Sequence, residues 1–301
     1  MYSTSMSLVW LFDRMNGEAK VIVPCGDGGG QPDLFGETEK NDGHIPAVNE
    51  LDIAIVAMIR QDAAVDFSIL PENARRLYEL SVDAFDAVVH AWMSELPVIN
   101  ETIRFGRKIF AAADNAAANV AASAAASKAA GASACQKHDS RRELIETAER
   151  QAAEQAATDR GDPDALAVRA AAYKVWHEIN RLMGLLRFCP DENGVYVARC
   201  EPDHFILPAL GPHFRGRFGE TPWAVIDEKR RLCLRGAGGG LELFGVNEGL
   251  SEDLSTEKPQ NGEWENLWRN YHKAINNESR NNPDLQRRFM PKRYWKYLTE
   301  V

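Results

Sequence analysis

The chain has 301 residues, enough for two domains or for one domain with an extension, and its apolar and charged fractions are those of an ordinary globular protein. No apolar run approaches the length that spans a bilayer, and the start, MYSTSMSLVWLFDR, lacks the basic region of a signal peptide, so the sequence predicts a cytoplasmic protein with no membrane partner. The net charge of −9 hides an asymmetry: residues 1–167 carry −11, residues 168–301 carry +2, and Arg269–Val301 alone carry +5, so the acidic total does not exclude a nucleic-acid partner.

Residues 6–16 read as a short apolar helix and Lys20–Pro24 as a strand. The loop that follows contains GDGGG but lacks the Gly-Lys-Ser/Thr ending of a phosphate loop, so it reads as a flexible connection. Three helices come next. Val48, Leu51, Ile55, Met58 and Ile59 share a face of the first. Pro71 suits the first position of the second, where Leu77, Leu80, Ala84, Val88, Ala91 and Trp92 recur at helical spacing. Pro97 starts the third, which runs to about Phe110.

From Ala111 to Ala134, 15 of 24 residues are Ala, which favours helix but supplies little bulk for docking. Residues 111–162 therefore read as an Ala-rich linker or insertion between an N-terminal, mainly helical region (1–110) and an α+β domain (163–301). Pro163 opens a helix to about Met183, with Ala172, Val175, Trp176, Ile179 and Met183 as its apolar stripe; Lys174, His177 and Arg181 share another face.

Two runs of alternating apolar and polar residues flank Asp191-Glu192-Asn193-Gly194, a hairpin signal because Asn-Gly accepts the positive φ of a tight turn. Trp223–Asp227 and Arg231–Arg235 flank a second turn, and a His-bearing crossover of helical spacing joins the two pairs. The expected fold class is α+β: a small antiparallel sheet of two hairpins, packed by C-terminal helices, with an N-terminal helical layer. Gly236 to Glu265 reads as a long loop. Trp264, Leu267, Trp268, Tyr271 and Ile275 give one amphipathic helix, and Asn282 caps a last one that Pro291 kinks or restarts. Trp176, Trp268 and Ile275 are expected to be buried on the sheet.

The five cysteines are odd in number, widely spaced and without a CxxC pair, and Cys189, Cys200 and Cys233, in or beside expected strands, read as buried free thiols. Neither a metal nor a cofactor is expected. Two clusters remain as candidate sites. Asp203, His204 and His213 offer an acid–base or metal-ligand grouping, against the plainer reading that both histidines hold the crossover by hydrogen bonds. The second cluster interleaves Arg287, Arg288, Lys292, Arg293 and Lys296 with Trp295 and other aromatics, as phosphate contacts and base stacking require; Arg215 and Arg217 join this nucleic-acid set. Against it stands a helix with a core aromatic side and solvated cations.

The segments RFCPDENGVYVARCEPDHFILPALGPHFRGRF, TPWAVIDEKRR and LWRNYHKAINNESRNNPDLQRRFMPKRYWKYLTE resemble a bacterial and archaeal family of unknown function linked with DNA metabolism or repair. The resemblance covers about 168–301 and continues more weakly through FDRMNGEAKVIVP, QPDLFGE and AWMSELPVINETIRFGRKIF. It departs at the start, where MYSTSMS replaces the usual aromatic-Asp-Gly opening, and in the longer Ala-rich stretch. Members are encoded beside a radical-SAM protein assigned to DNA repair, and others are fused to a uracil-DNA glycosylase-like domain. The resemblance thus implies a DNA repair or modification protein, a DNA-binding accessory of a radical-SAM enzyme, with DNA, that enzyme and a uracil-DNA glycosylase-like protein as partners. The alternatives are a hydrolase or nucleotide-processing enzyme centred on His204 and His213, and a structural partner protein.

Overall fold

A computed structural model describes residues 8–15, 56, 71–129, 138–191, 193–238, 240–246, 262–280 and 282–298. The expected strand Lys20–Pro24, the GDGGG loop, most of the helix around Val48–Ile59 and the Trp264 side chain lie outside the described residues. The chain divides into two units. One holds Met1–Ala47, Asp66–Trp92 and Leu96–Ala171; the other holds Val48–Val65, Met93–Glu95 and Ala172–Val301.

The described part of the first unit is helical: α1 (Leu8–Met15), α2 (Glu72–Leu80), α3 (Val82–Met93, up to Trp92), α4 (Ile99–Ala129), α5 (His138–Thr158) and the start of α6 (Pro163–Leu185). Its aromatic centre is Phe12 stacked on Phe85, with Tyr78 meeting Phe85 edge-on. The single helix expected from Pro71 to Trp92 breaks at Ser81, which is extended at φ −158 and ψ 111. The Ser81 hydroxyl accepts from the Ala84 N–H at 3.2 Å, so a side-chain cap restarts the helix where apolar spacing alone runs on. Pro71 precedes α2 as its cap rather than occupying its first turn.

The helix expected to stop near Phe110 continues through the Ala-rich stretch to Ala129, and α4 and α5 pack on one another. Ala113, Ala153 and Ala157 are fully buried, so these helices are closely fitted through small side chains. Asp164, in the first turn of α6, receives Arg104 at 2.8 and 3.1 Å and Lys108 at 2.7 Å. Those cations hold the Asp164 carboxyl below its usual range against the opposing effect of burial.

The second unit carries a five-stranded sheet in the order β1-β2-β3-β4-β5: Cys189–Pro190, Tyr196–Cys200, Trp223–Asp227, Leu232–Ala237 and Gly240–Gly245. The first turn forms as expected, with Gly194 at φ +78 and the Asp191 carboxylate accepting from the Asn193 and Val195 N–H groups. All pairings are antiparallel except one. Strands β2 and β3 run parallel, because α7 (Leu207–Phe218) carries the chain back before β3 begins. The two hairpins therefore join through a parallel seam, which corrects the all-antiparallel expectation. Every residue of β3 is buried, as suits a strand covered on both faces. Strand β5 lies where a loop was expected, and corrects that reading.

The C-terminal segment forms α8 (Gly262–Ile275), a short 3₁₀ turn, α9 (Pro283–Phe289) and a second 3₁₀ turn, Lys292–Tyr297. Asn282 caps α9 by accepting from the Leu285 N–H at 3.0 Å, and Pro291 restarts the chain as expected. The burial expected of three side chains is not found: Trp176, Trp268 and Ile275 are 46%, 40% and 59% exposed. No described helix is long and apolar enough to cross a membrane.

Candidate functional site

Two polar groups of the second unit gather several hydrogen bonds each, and the first is Glu178, on the inner side of α6 with Val175, Ile179 and Leu182. Only 2% of it is exposed, and a carboxylate that deep must have its hydrogen bonds supplied by the protein. Four groups donate to it: the backbone N–H groups of Asp203 and His204, both at 2.8 Å, the Tyr294 hydroxyl at 2.5 Å and Arg293 Nη2 at 3.2 Å. Arg293 also donates to the Tyr294 oxygen at 2.9 Å and pairs with the Asp203 carboxylate at 2.5 Å. Burial and the Glu178 charge push the Tyr294 phenol above its usual range.

A second group adjoins it through the crossover backbone. Arg230, whose side chain is 7% exposed, pairs with Glu95 at 2.7 Å and with Asp227 at 2.8 Å. It also donates to the carbonyls of Pro202 and Asp203. Burial raises the Asp227 carboxyl even though Arg230 opposes the shift. Burial likewise works against the Glu228 carboxylate, but hydrogen bonds from Tyr297 at 2.6 Å and Arg199 at 3.0 Å prevail and hold it below its usual range. Lys296 pairs with Glu201 at 2.6 Å. These contacts fasten the 3₁₀ turn Lys292–Tyr297 to β2 and to the turns at the sheet end.

The sequence candidates separate accordingly. Asp203 and His204 come together around Glu178, and the His204 ring donates from Nδ1 to the Ser94 carbonyl. His213 lies on the exposed side of α7 with its ring 4.9 Å from that of Phe214. Among the described residues, no group of three His, Cys, Asp or Glu side chains has the arrangement of a metal site. Within the cationic set, Arg293 has carboxylate partners on α6 and in the crossover, Glu178 and Asp203, and Lys296 has Glu201, just after β2. Trp295 is half-buried, donates from Nε1 to the Met290 carbonyl at 2.9 Å, and has the Lys292 ammonium 5.9 Å over its ring. Arg287, paired with Asp284, is exposed, as are Arg288 and Lys292; Arg215 and Arg217 occupy the last turn of α7. Cys200 and Cys233 are buried free thiols, and burial raises both, Cys233 to about 11.

Sequence reasoning passed over Glu178 and Arg230, and counted Tyr294 only among the aromatics of the C-terminal cationic cluster. A carboxylate one residue from Ile179 and four from Leu182 interrupts an apolar stripe, and that interruption is the signal it offered. That reasoning set Phe289 among the aromatics of the C-terminal cationic cluster and took Trp268 and Tyr271 as one face of an amphipathic helix; these rings are 63%, 40% and 53% exposed.

No curated protein and no solved structure matches the chain. A family model described as a domain of unknown function, DUF4130, matches residues 139–300. That span is more than half of the chain and includes α5, α6, the whole sheet and the C-terminal segment that carries the network. The chain belongs to the DUF4130 family.

Proposed function

We propose that this protein binds DNA as an accessory of a radical-SAM enzyme in DNA repair or modification. The observation that carries the reading is the exposed cationic surface of the C-terminal segment. Arg287, Arg288 and Lys292 stand in solvent on a stretch, Arg269–Val301, that carries +5 in a chain of net charge −9. Such a local excess is what phosphate contacts use. Arg293 and Lys296 serve the fold's own ion pairs, so their share of DNA contact is smaller than that of the other three. The likeness of the C-terminal segments to a family linked with DNA repair supports the pathway and the radical-SAM partner.

Fluorescence anisotropy against a salt series tests the reading. With about three phosphate contacts, the logarithm of the duplex binding constant falls by about 2.7 per unit of log salt, at about 0.9 for each contact. Arg288→Glu with Lys292→Glu weakens binding to all sequences and flattens that slope. A chain with no salt-dependent affinity for single- or double-stranded DNA, alone or with its partner enzyme, refutes the proposal.

A further inference from the structure

The turn Lys292–Tyr297 is a 3₁₀ helix, and at about three residues per turn its positions i and i+3 lie above one another. Tyr294 and Tyr297 therefore share one edge, and Arg293 and Lys296 share the edge beside it. The tyrosine edge anchors the turn: Tyr294 is 1% exposed and donates to Glu178, and Tyr297 donates to Glu228. Leu298, directly after the turn, is buried too. The cation edge is not buried, its two side chains being 40% and 50% exposed. Each cation meets two carboxylates. Arg293 lies 3.2 Å from Glu178 and 2.5 Å from Asp203, and Lys296 lies 2.6 Å from Glu201 and 3.8 Å from Glu228. Glu178 and Glu228 also receive Tyr294, Tyr297, Arg199 and two backbone amides, so they hold the fold together whatever the cations do. Among the described residues, the half-exposed side chains of Glu201 and Asp203 pair with these two cations alone.

Ion pairs at half-exposed positions hold their partners by about a fivefold preference or less. Either cation can therefore swing away on its long stem while Tyr294 and Leu298 keep the backbone in place. Carboxylate and phosphate present the same kind of oxygen to a guanidinium or an ammonium, so the two compete for it. We infer that Glu201 and Asp203 act as internal phosphate mimics, an autoinhibitory contact that holds Arg293 and Lys296 back from DNA. Lys292, in the same turn, stands outside that contact, with its ammonium over the Trp295 ring. The turn thus offers DNA one cation while the pairs are made and three once they open. The inference rests on the DNA-binding reading and specifies how much of the cationic segment is available at once.

The test uses the full chain and a fluorescein-labelled, mixed-sequence DNA duplex over a salt series. Glu201→Gln with Asp203→Asn tightens binding by up to about 25-fold, about fivefold for each pair released. The fall of log affinity with log salt steepens by about 1.8, since two further phosphates are contacted at about 0.9 each. Adding Lys296→Gln to that chain takes back about 0.9 of the slope. The control, Glu220→Gln with Glu242→Gln, removes the same charge at exposed positions away from the two cations and leaves the slope unchanged. Urea unfolding checks that each variant is folded, and Glu201→Gln alone, which steepens the slope by about 0.9, serves if the double change is not. An unchanged slope in the Glu201 and Asp203 variants, with the unmodified chain binding DNA, overturns the inference and leaves DNA binding standing. So does an equal gain in the control, which would make the effect one of overall charge. Absence of binding by every chain overturns both.

Discussion

Replacing Glu178 by Ala removes the acceptor shared by two backbone N–H groups, a tyrosine hydroxyl and an arginine. Hydrogen bonds to a charged group contribute about 1.5–3 kcal/mol each, but four donors on one carboxylate are not additive. Arg293 is 40% exposed and keeps Asp203, so it rehydrates at small cost. Tyr294, 1% exposed, and the crossover N–H groups bear most of the loss. The expected destabilisation is therefore about 3–5 kcal/mol, that of breaking a buried charged contact by removing one partner. Glu178→Gln keeps the shape and one acceptor oxygen and costs about 1–2 kcal/mol. Urea unfolding reads these values as a midpoint lowered by about 1–3 M for the Ala variant, with the slope unchanged. Hydrogen exchange gives an independent reading, since the Asp203 and His204 amides lose protection first. A Glu178→Ala unfolding free energy within about 0.5 kcal/mol of that of the unmodified protein would show that the network does not hold the C-terminal turn.

Gly236 faces the buried indole of Trp223, and a Cβ there would lie 2.3 Å from that ring; Gly236→Ala is expected to cost at least about 1–3 kcal/mol, and a neutral variant would mean that β3 and β4 are less closely fitted than described. Burial, reinforced by the charge of Asp83, raises the Asp86 carboxyl to about 7, so the folded state holds a proton that the unfolded chain has released. Stability then falls as pH rises from about 4 to about 7, by at most about 4 kcal/mol at 1.36 kcal/mol per unit, and Asp86→Asn flattens that fall; an unchanged pH profile in the variant refutes the assignment. The double change His204→Ala and His213→Ala separates the enzyme alternative from the structural one. Loss of the His204–Ser94 contact should lower the melting temperature with no change in metal content, whereas a stoichiometric metal lost by the variant would favour the enzyme.

Much of the second unit was legible in the sequence. Asp191 to Gly194 specified a tight turn through local hydrogen bonds and one positive φ, and Trp223–Asp227 appeared as a strand with its observed bounds. Asn282 and Pro291 marked a start and a restart because capping and the missing proline N–H act within a few residues. The Ala-rich stretch was legible as helical in part, since Ala has the highest intrinsic propensity. Its close packing was not, because small side chains carry no apolar signature of the face they bury.

Of the candidate site, the cationic and histidine residues were visible, but their partners were not. Arg293 and Glu178 are 115 positions apart, and Arg230 and Glu95 are 135 apart, so no local pattern announces either pair. The same limit governs the sheet: alternation defines each hairpin, while only the path of α7 made β2 and β3 parallel. It governs burial too, for the spacing of Trp268, Tyr271 and Ile275 defines one face of α8 but not what covers it. The sequence by itself determined turns, caps, helix faces and the placement of charge, all set by neighbours a few residues away. The tertiary structure alone decided strand order, which cations are consumed by internal carboxylates and which rings stay bare, because those depend on groups that meet only after the chain has folded.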